Sequence, residues 1–292
     1  MSPSTNKTSS PSGVRPKVSV VVPAYNEERS VGQIVQNLRE WVGPLGDVVV
    51  VDNASDDATR ATAMAAGASR VIHEYRRGKG FAVLAGATAA REETVLVCDA
   101  DVRGMALSML DALVSRQIAA GVPVVRLSIG RGAASAPVTT LVARPLLEML
   151  GVSAGLEPIG GIVLCRREFL MAQHLAGGWG FDIGLTIACI RAGVPVEEIA
   201  VNGVEHRVKK LDEYAGMASE VMCGALRAIG LLAWDHVDCT LCVERSRMAS
   251  HMESSAAGAG GAGHWAASGR DVPPQDMSGG WNRHPGPTAE RT

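Results

Sequence analysis

Short valine-rich runs alternate with stretches of helical periodicity over the first 120 residues of the chain. The apolar runs at 18–22, 47–51, 71–74 and 94–98 have the length and β-branching of buried strands. Between them, apolar residues recur at three- and four-residue spacing over 27–41, 56–66 and 79–90, which predicts helices. Strand and helix in regular succession predict βαβ units. The expected fold class is therefore α/β, a doubly wound, mostly parallel sheet with helices on both faces. In an open sheet of this kind ligands bind in the crevice outside the carboxyl ends of the strands. The residues that close each apolar run are accordingly where the chemistry is sought.

From residue 121 the rhythm loosens. Strands are predicted at 123–129, 162–165 and 196–201, and helices at 138–150, 181–192 and 211–234. These elements are expected to complete the same sheet and to wall a second part of the crevice. The last helix presents Met217, Val221, Ile229 and Leu232, read as core, with the face of a homodimer as the alternative. Residues 246–292 are Gly/Ala/Ser/Pro-rich and bury too little to offset their chain entropy, so a disordered tail is expected there. Residues 1–16 are Ser/Thr/Pro-rich, lack the apolar core of a secretory signal, and are read as a disordered N-terminus.

Composition narrows the functional classes. With 292 residues and 47% hydrophobic side chains, the chain can bury a substantial core. A net charge of -2 and a pI near 6.4 argue against broad electrostatic capture of nucleic acid. No stretch approaches the roughly 18 apolar residues of a membrane span, and a cytoplasmic protein is expected. Cys98, Cys165, Cys189 and Cys223 lie in apolar runs and read as core thiols. Cys239 and Cys242 form a lone C-x-x-C without the second pair that a zinc site requires.

Four constellations carry chemistry. The first apolar run opens into Pro23, Ala24, Tyr25, Asn26, Glu27 and Glu28, which line the crevice and start a helix. The second ends in Asp52 and Asn53; Asp52 is placed to accept hydrogen bonds from a base or ribose, while Asp56 and Asp57 cap the following helix. No G-x-G-x-x-G follows the first run, which disfavours a nicotinamide or flavin cofactor. The third, Arg76 to Gly80, offers Lys79 to a phosphate near a helix start. The fourth is the sharpest: the run ending at Cys98 delivers Asp99, Ala100 and Asp101, two carboxylates two residues apart. Such a pair can hold a divalent cation against a diphosphate. His206, in a polar stretch just past the last predicted strand, is a candidate metal ligand. His73 and His174 are read as ordinary residues. Asp182, at the start of the helix over 181–192, is a candidate catalytic base or a capping residue.

Together, PAYNEE, VVDNASDDAT, GKG and DAD, in that order, resemble the GT-A fold of family-2-like glycosyltransferases. Beyond Asp101 the segments VTTLVARPLL, PIGGIVLCRREF, GWGFDIGL and EHRVKKLDEYAGM are most similar to glucosyl-3-phosphoglycerate synthases and their relatives. The resemblance implies a UDP-sugar donor, with glucose or N-acetylglucosamine as the sugar. Pro23, Ala24, Glu27, Asn53 and Lys79 would contact the donor, Asp101 and His206 would hold Mg²⁺ or Mn²⁺, and Asp99 would face the nucleotide. On this reading residues 17–245 form one glycosyltransferase domain, with 17–120 as the nucleotide-sugar half and 121–245 as the acceptor half.

The sequence departs from the synthases at one place. They carry Gly-Arg before V-T-x-L, as part of a cradle for the acceptor's anionic groups; this chain has Ala136-Pro137, preceded by Gly132-Ala133-Ala134-Ser135. Proline offers neither charge nor a backbone donor. Arg126, Arg131 and Arg144 are candidate substitutes. The expected acceptor is therefore a larger or less charged small molecule, or one bound to a carrier protein, as in antibiotic assembly of the mitomycin type. A phosphoglycerate-type acceptor is the alternative, and a non-catalytic nucleotide-sugar binding protein is the alternative of another class.

Overall fold

Val20 and Val22 point to one side of the sheet and Val21 to the other, and the same alternation separates Val48 and Val50 from Val49 and Val51. All seven are fully buried, which is why these strands read as continuous valine runs rather than as alternating ones. In the computed structural model, which describes residues 17–129, 136–152, 157–207 and 211–232, the first half follows the predicted rhythm. Its elements are β1 (Ser19–Ala24), α1 (Val31–Val42), β2 (Asp47–Asp52), α2 (Thr59–Ala65), β3 (Arg70–His73), α3 (Lys79–Ala89), β4 (Thr94–Cys98) and α4 (Leu107–Ala120). The second half holds β5 (Val124–Ile129), one π-helical turn (Thr139–Ala143), α5 (Arg144–Met149), β6 (Ile162–Arg166), α6 (Arg167–Met171), α7 (Phe181–Arg191), β7 (Glu197–Val201) and α8 (Leu211–Ala228).

The seven strands form one sheet in the order β3-β2-β1-β4-β6-β5-β7. All neighbouring pairs are parallel except those made by β6, which runs antiparallel to both β4 and β5. The register sets Ala24 beside Asp52 and Asp52 beside His73, so β1, β2 and β3 finish level. Residues of α1 and α4 pack with one face of the sheet, and residues of α3 and α7 with the other. A third cluster gathers Val138, Leu147, Ile183 and Val221 between the π-turn, α5, α7 and α8.

Several boundaries differ from the sequence expectation for physical reasons. The first helix begins at Val31 rather than at residue 27, because residues 27–30 form a turn in which the Ser30 and Val31 amides share the Glu27 carbonyl, with the Glu27 and Glu28 amides held by Thr59 and Asp57. The helix expected over 138–150 is split by the π-helical turn. Two elements were not expected by name: α4, buried only through Leu110, Leu113 and Gln117, and the five-residue α6. In α8 Val221 is fully buried and Met217 packs against the third cluster, as does Ile229 just past the helix end. No described helix is long and apolar enough to cross a membrane. The terminal segments 1–16 and 246–292, the loop at 130–135 with Arg131, and Trp234, Cys239 and Cys242 lie outside the described residues.

Candidate active site

The loops that leave β1 and β2 are laced to each other. Asn26, in the left-handed region at φ 53°, accepts the Asp56 amide on its side-chain oxygen at 3.0 Å, and its own amide donates to Ser55 Oγ at 3.1 Å. Glu28 Oε2 accepts the Ala58 amide at 3.1 Å. Asn53 ties in a third loop: its amide donates to Ala24 O, its Nδ2 donates to the carbonyls of Glu74 and Arg76, and its Oδ1 accepts the Gly78 amide at 2.7 Å. Asn53 thus clamps the segment that presents Lys79. Asp52, at the end of β2, accepts the Ser55 amide on one oxygen and faces His73 Nδ1 at 3.0 Å with the other. His73 is therefore joined to the candidate nucleotide site, which its sequence setting did not suggest.

The first amides of α3 are already occupied, since Gly80 donates to Gly178 O and Phe81 to Gly177 O. The charged group at this helix start is the side chain of Lys79. That side chain is nearly buried, and its Nζ lies 2.8 Å from Asp182 Oδ2, 3.1 Å from Asp99 Oδ1 and 3.4 Å from Gly160 O. An unpaired buried ammonium costs several kcal/mol, so two carboxylates and a carbonyl are what permit it here. Burial pulls the Lys79 pKa down, but the attraction of Asp182 and Asp99 more than restores it, and it stays charged. Asp182 is pushed above the usual carboxylate range, first by burial, which Lys79 opposes and the nearby Asp99 charge reinforces.

Asp101 and His206 come together through a short antiparallel bridge between the loops after β4 and β7. Arg103 donates its amide to Glu205 O at 2.9 Å, and Glu205 returns the bond at 3.0 Å. The bridge sets His206 Nδ1 3.1 Å from Asp101 Oδ1, while the Arg207 amide donates to Asp101 Oδ2. One ligand atom from each of Asp99, Asp101 and His206 lies within 4.8 Å of the others. The other ring nitrogen of His206, Nε2, is buried without a hydrogen-bond partner among the described residues. Two carboxylates and an imidazole suit a hard or borderline divalent ion such as Mg²⁺ or Mn²⁺, and an orphaned buried ring nitrogen fits such a site.

Gly161 leaves the room for this cluster. A Cβ there would sit 2.2 Å from His206 Cε1 and 2.7 Å from Asp99 Oδ2. The antiparallel course of β6 is what brings Gly161 to the carboxyl ends of its neighbours, where its carbonyl accepts the Asp99 amide at 2.8 Å. Sequence reading did not assign Gly160 or Gly161 to the site; the signal was the paired glycine just before an apolar run.

A cavity of about 500 Å³ opens beside these groups. Its lining includes Lys79, Asp99, Gly160, Gly161 and His206, together with Pro137, Val138, Thr139, Trp179, Tyr214 and Met217. Of the expected donor residues, Ala24, Asp52, Asn53 and Lys79 are buried around the strand ends, Pro23 and Glu27 are half-buried, and Tyr25 is exposed. Ala100 is buried in the core below the triplet. Arg126 and Arg144 do not line the cavity. Arg126 is 1% exposed and donates to Glu157 O at 2.8 Å, and Arg144 pairs with the Glu157 carboxylate at 3.2 Å. Both serve the segment leading into Gly160 rather than an acceptor cradle.

Residues 19–105 match the family model described as glycosyl transferase family 2. The glucosyl-3-phosphoglycerate synthase of Mycolicibacterium paratuberculosis is 32% identical over 239 residues, covering 73% of both chains. The chain belongs to glycosyl transferase family 2. The same-named enzyme of Mycolicibacterium smegmatis is 32% identical over 236 residues, covering 73% of this glycosyltransferase and 78% of the relative. Among solved structures, the glucosyl-3-phosphoglycerate synthase of Mycobacterium tuberculosis in complex with Mn²⁺, UDP-glucose and phosphoglyceric acid superposes with a TM-score of 0.68 at 30% identity. The match covers 75% of this glycosyltransferase and 81% of that chain. The same enzyme is also known in complex with Mg²⁺ and UDP. The mixed sheet of this family 2 glycosyltransferase is thus the GT-A fold of those neighbours, and the Asp99, Asp101 and His206 cluster matches their use of a divalent ion.

Proposed function

We propose that this glycosyltransferase moves glucose from UDP-glucose to the hydroxyl of a small acid of the phosphoglycerate type. The observation that carries the reading is the joining of Asp99, Asp101 and His206 into one ligand set beside Lys79, at the ends of a sheet like that of the synthases. The relatives favour this acceptor over an antibiotic intermediate, for which nothing in them speaks. Against Arg126 and Arg144 as its cradle stand the burial of Arg126 on the Glu157 carbonyl and the pairing of Arg144 with the Glu157 carboxylate, away from the cavity lining.

In the reaction the bond between the glucose C1 and the diphosphate oxygen breaks, its electron pair leaves with UDP, C1 bonds to the acceptor oxygen, and the proton of that hydroxyl passes to the departing diphosphate or to solvent. Asp101 and His206 would hold the divalent ion, with Asp99 beside them. When bound, it supplies a positive charge against the departing diphosphate. Lys79 adds a second positive charge that is fixed before substrate arrives. Asp182 is assigned a positioning role, because its Oδ2 is committed to Lys79 at 2.8 Å. Asp52 and Asn53 face the nucleoside, with Pro23, Ala24, Tyr25 and Glu27 on the adjoining loop.

The test is mass spectrometry of the purified full chain with UDP-glucose, Mn²⁺ and 3-phosphoglycerate, beside a panel of neutral and aromatic hydroxyl acceptors. A product heavier than 3-phosphoglycerate by one hexose is expected. If hexose reaches only neutral acceptors, the acceptor assignment fails and the donor assignment stands. If UDP neither stabilises the protein with Mn²⁺ nor is released from UDP-glucose, the whole reading fails.

A further inference from the structure

In the sheet order β3-β2-β1, a contact between the segment after β1 and the segment after β3 passes over the carboxyl end of β2. Tyr25 and Arg77 make such a contact: the Arg77 guanidinium carbon lies 3.7 Å from the centre of the Tyr25 ring. Beneath this bridge are Asp52 and Asn53, which end β2. The neighbouring Arg76 differs. It is tied to Glu74 by side-chain bonds of 3.0 Å from Nε and Nη2 and lies over Phe81, so its guanidinium is held within its own loop. Among the described residues no carboxylate pairs with Arg77, whose side chain is exposed apart from the tyrosine ring.

We propose that Arg77, carried on the Tyr25 ring, is a donor-binding residue that covers the nucleoside of the bound nucleoside diphosphate sugar. The proposal rests on the UDP-glucose reading above and adds a residue which that reading does not use. A guanidinium stacked on one face by tyrosine keeps its second face for a planar base and its N–H edge in reach of ribose or phosphate oxygens. The bridge is anchored from below. Asn53 bonds to Ala24 O, to Arg76 O and to the Gly78 amide, so both loops that carry the pair are fixed at their roots. Ordering Arg77 before the donor arrives reduces the side-chain entropy lost on binding.

Isothermal titration of the full chain with UDP in the presence of Mn²⁺ tests this, with circular dichroism melts to confirm that each variant folds. Arg77→Ala is expected to weaken UDP binding roughly 5- to 30-fold and to raise KM for UDP-glucose with kcat unchanged. Tyr25→Leu removes the ring that carries Arg77 and is expected to fall toward Arg77→Ala. Arg77→Lys keeps the charge without the plane and is expected to resemble Arg77→Ala. Wild-type affinity in Arg77→Ala overturns the proposal, and so does full recovery in Arg77→Lys. If wild type itself fails to bind UDP, the donor reading has failed first.

Discussion

Asp47 and Asp182 are aspartates of almost equal burial, 2% and 3% exposed, at opposite ends of the sheet, and their surroundings shift them in opposite directions. At the amino ends of β1 and β2, burial alone would raise Asp47. Ser19 Oγ at 2.6 Å, the Arg70 guanidinium at 2.6 and 2.7 Å, and the Arg91 amide at 3.0 Å more than reverse it, so its pKa falls below the usual range. At the carboxyl ends Asp182 has Lys79, but shares it with Asp99 and stays raised. One end of the sheet spends its charges on the fold; the other keeps charges uncompensated for a substrate to complete.

The sharpest way to break this contrast is at the metal cluster. Asp101→Ala is expected to lower kcat/KM for hexose transfer roughly 1,000-fold, about 4 kcal/mol, while the melting temperature without metal changes little. Turnover within about tenfold of wild type would show that the cluster is structural, like the Asp47 end. Gly161→Ala, which would press a methyl group between His206 and Asp99, is expected to weaken Mn²⁺ binding roughly 100-fold, read by calorimetry with metal alone. Unchanged Mn²⁺ affinity would remove Gly161 from the account.

At the other end the order of effects inverts. Asp47→Ala leaves Ser19 and Arg70 without their shared acceptor and is expected to cost about 2 kcal/mol in urea unfolding, with kcat/KM unaltered. A loss of activity without a loss of stability would contradict the division of labour. The smallest effect is in pH. A carboxylate whose folded pKa lies below its unfolded value stabilises above the unfolded value, near 3.9, and loses that contribution as pH falls through the folded one. The gap in melting temperature between wild type and Asp47→Asn should therefore be full at pH 6 and shrink below about pH 4. A gap that persists unchanged at pH 3 would mean that packing, not charge, makes the difference.

What could be read in the sequence was what a single strand carries by itself. Val48 to Val51 followed by Asp52, or Val95 to Cys98 followed by Asp99, declare both a buried strand and the end at which polar groups emerge. The donor residues follow from such endings. Strand direction is different, because a period of two is the same read either way, and nothing in Ile162 to Arg166 declares that β6 runs backwards. Gly160 and Gly161 were missed for that reason. Arg126 was legible as a strand residue but not as a buried one, since its role depends on the Glu157 carbonyl 31 residues further on. The pairing of His73 with Asp52 was hidden in the same way: it is set by the register of β2 and β3, not by either segment alone.

The bridge between Arg103 and Glu205 has a consequence for the order of assembly. Asp101 and His206 are 105 residues apart, and β7, which precedes His206, docks against β5 at the far edge of the sheet. A chain still emerging from the ribosome can form β1 to β4 and the nucleoside-facing loops well before its last strand exists. Half-made protein therefore lacks the imidazole of the candidate cation site, and the pairing of Asp101 with His206 waits for the last strand.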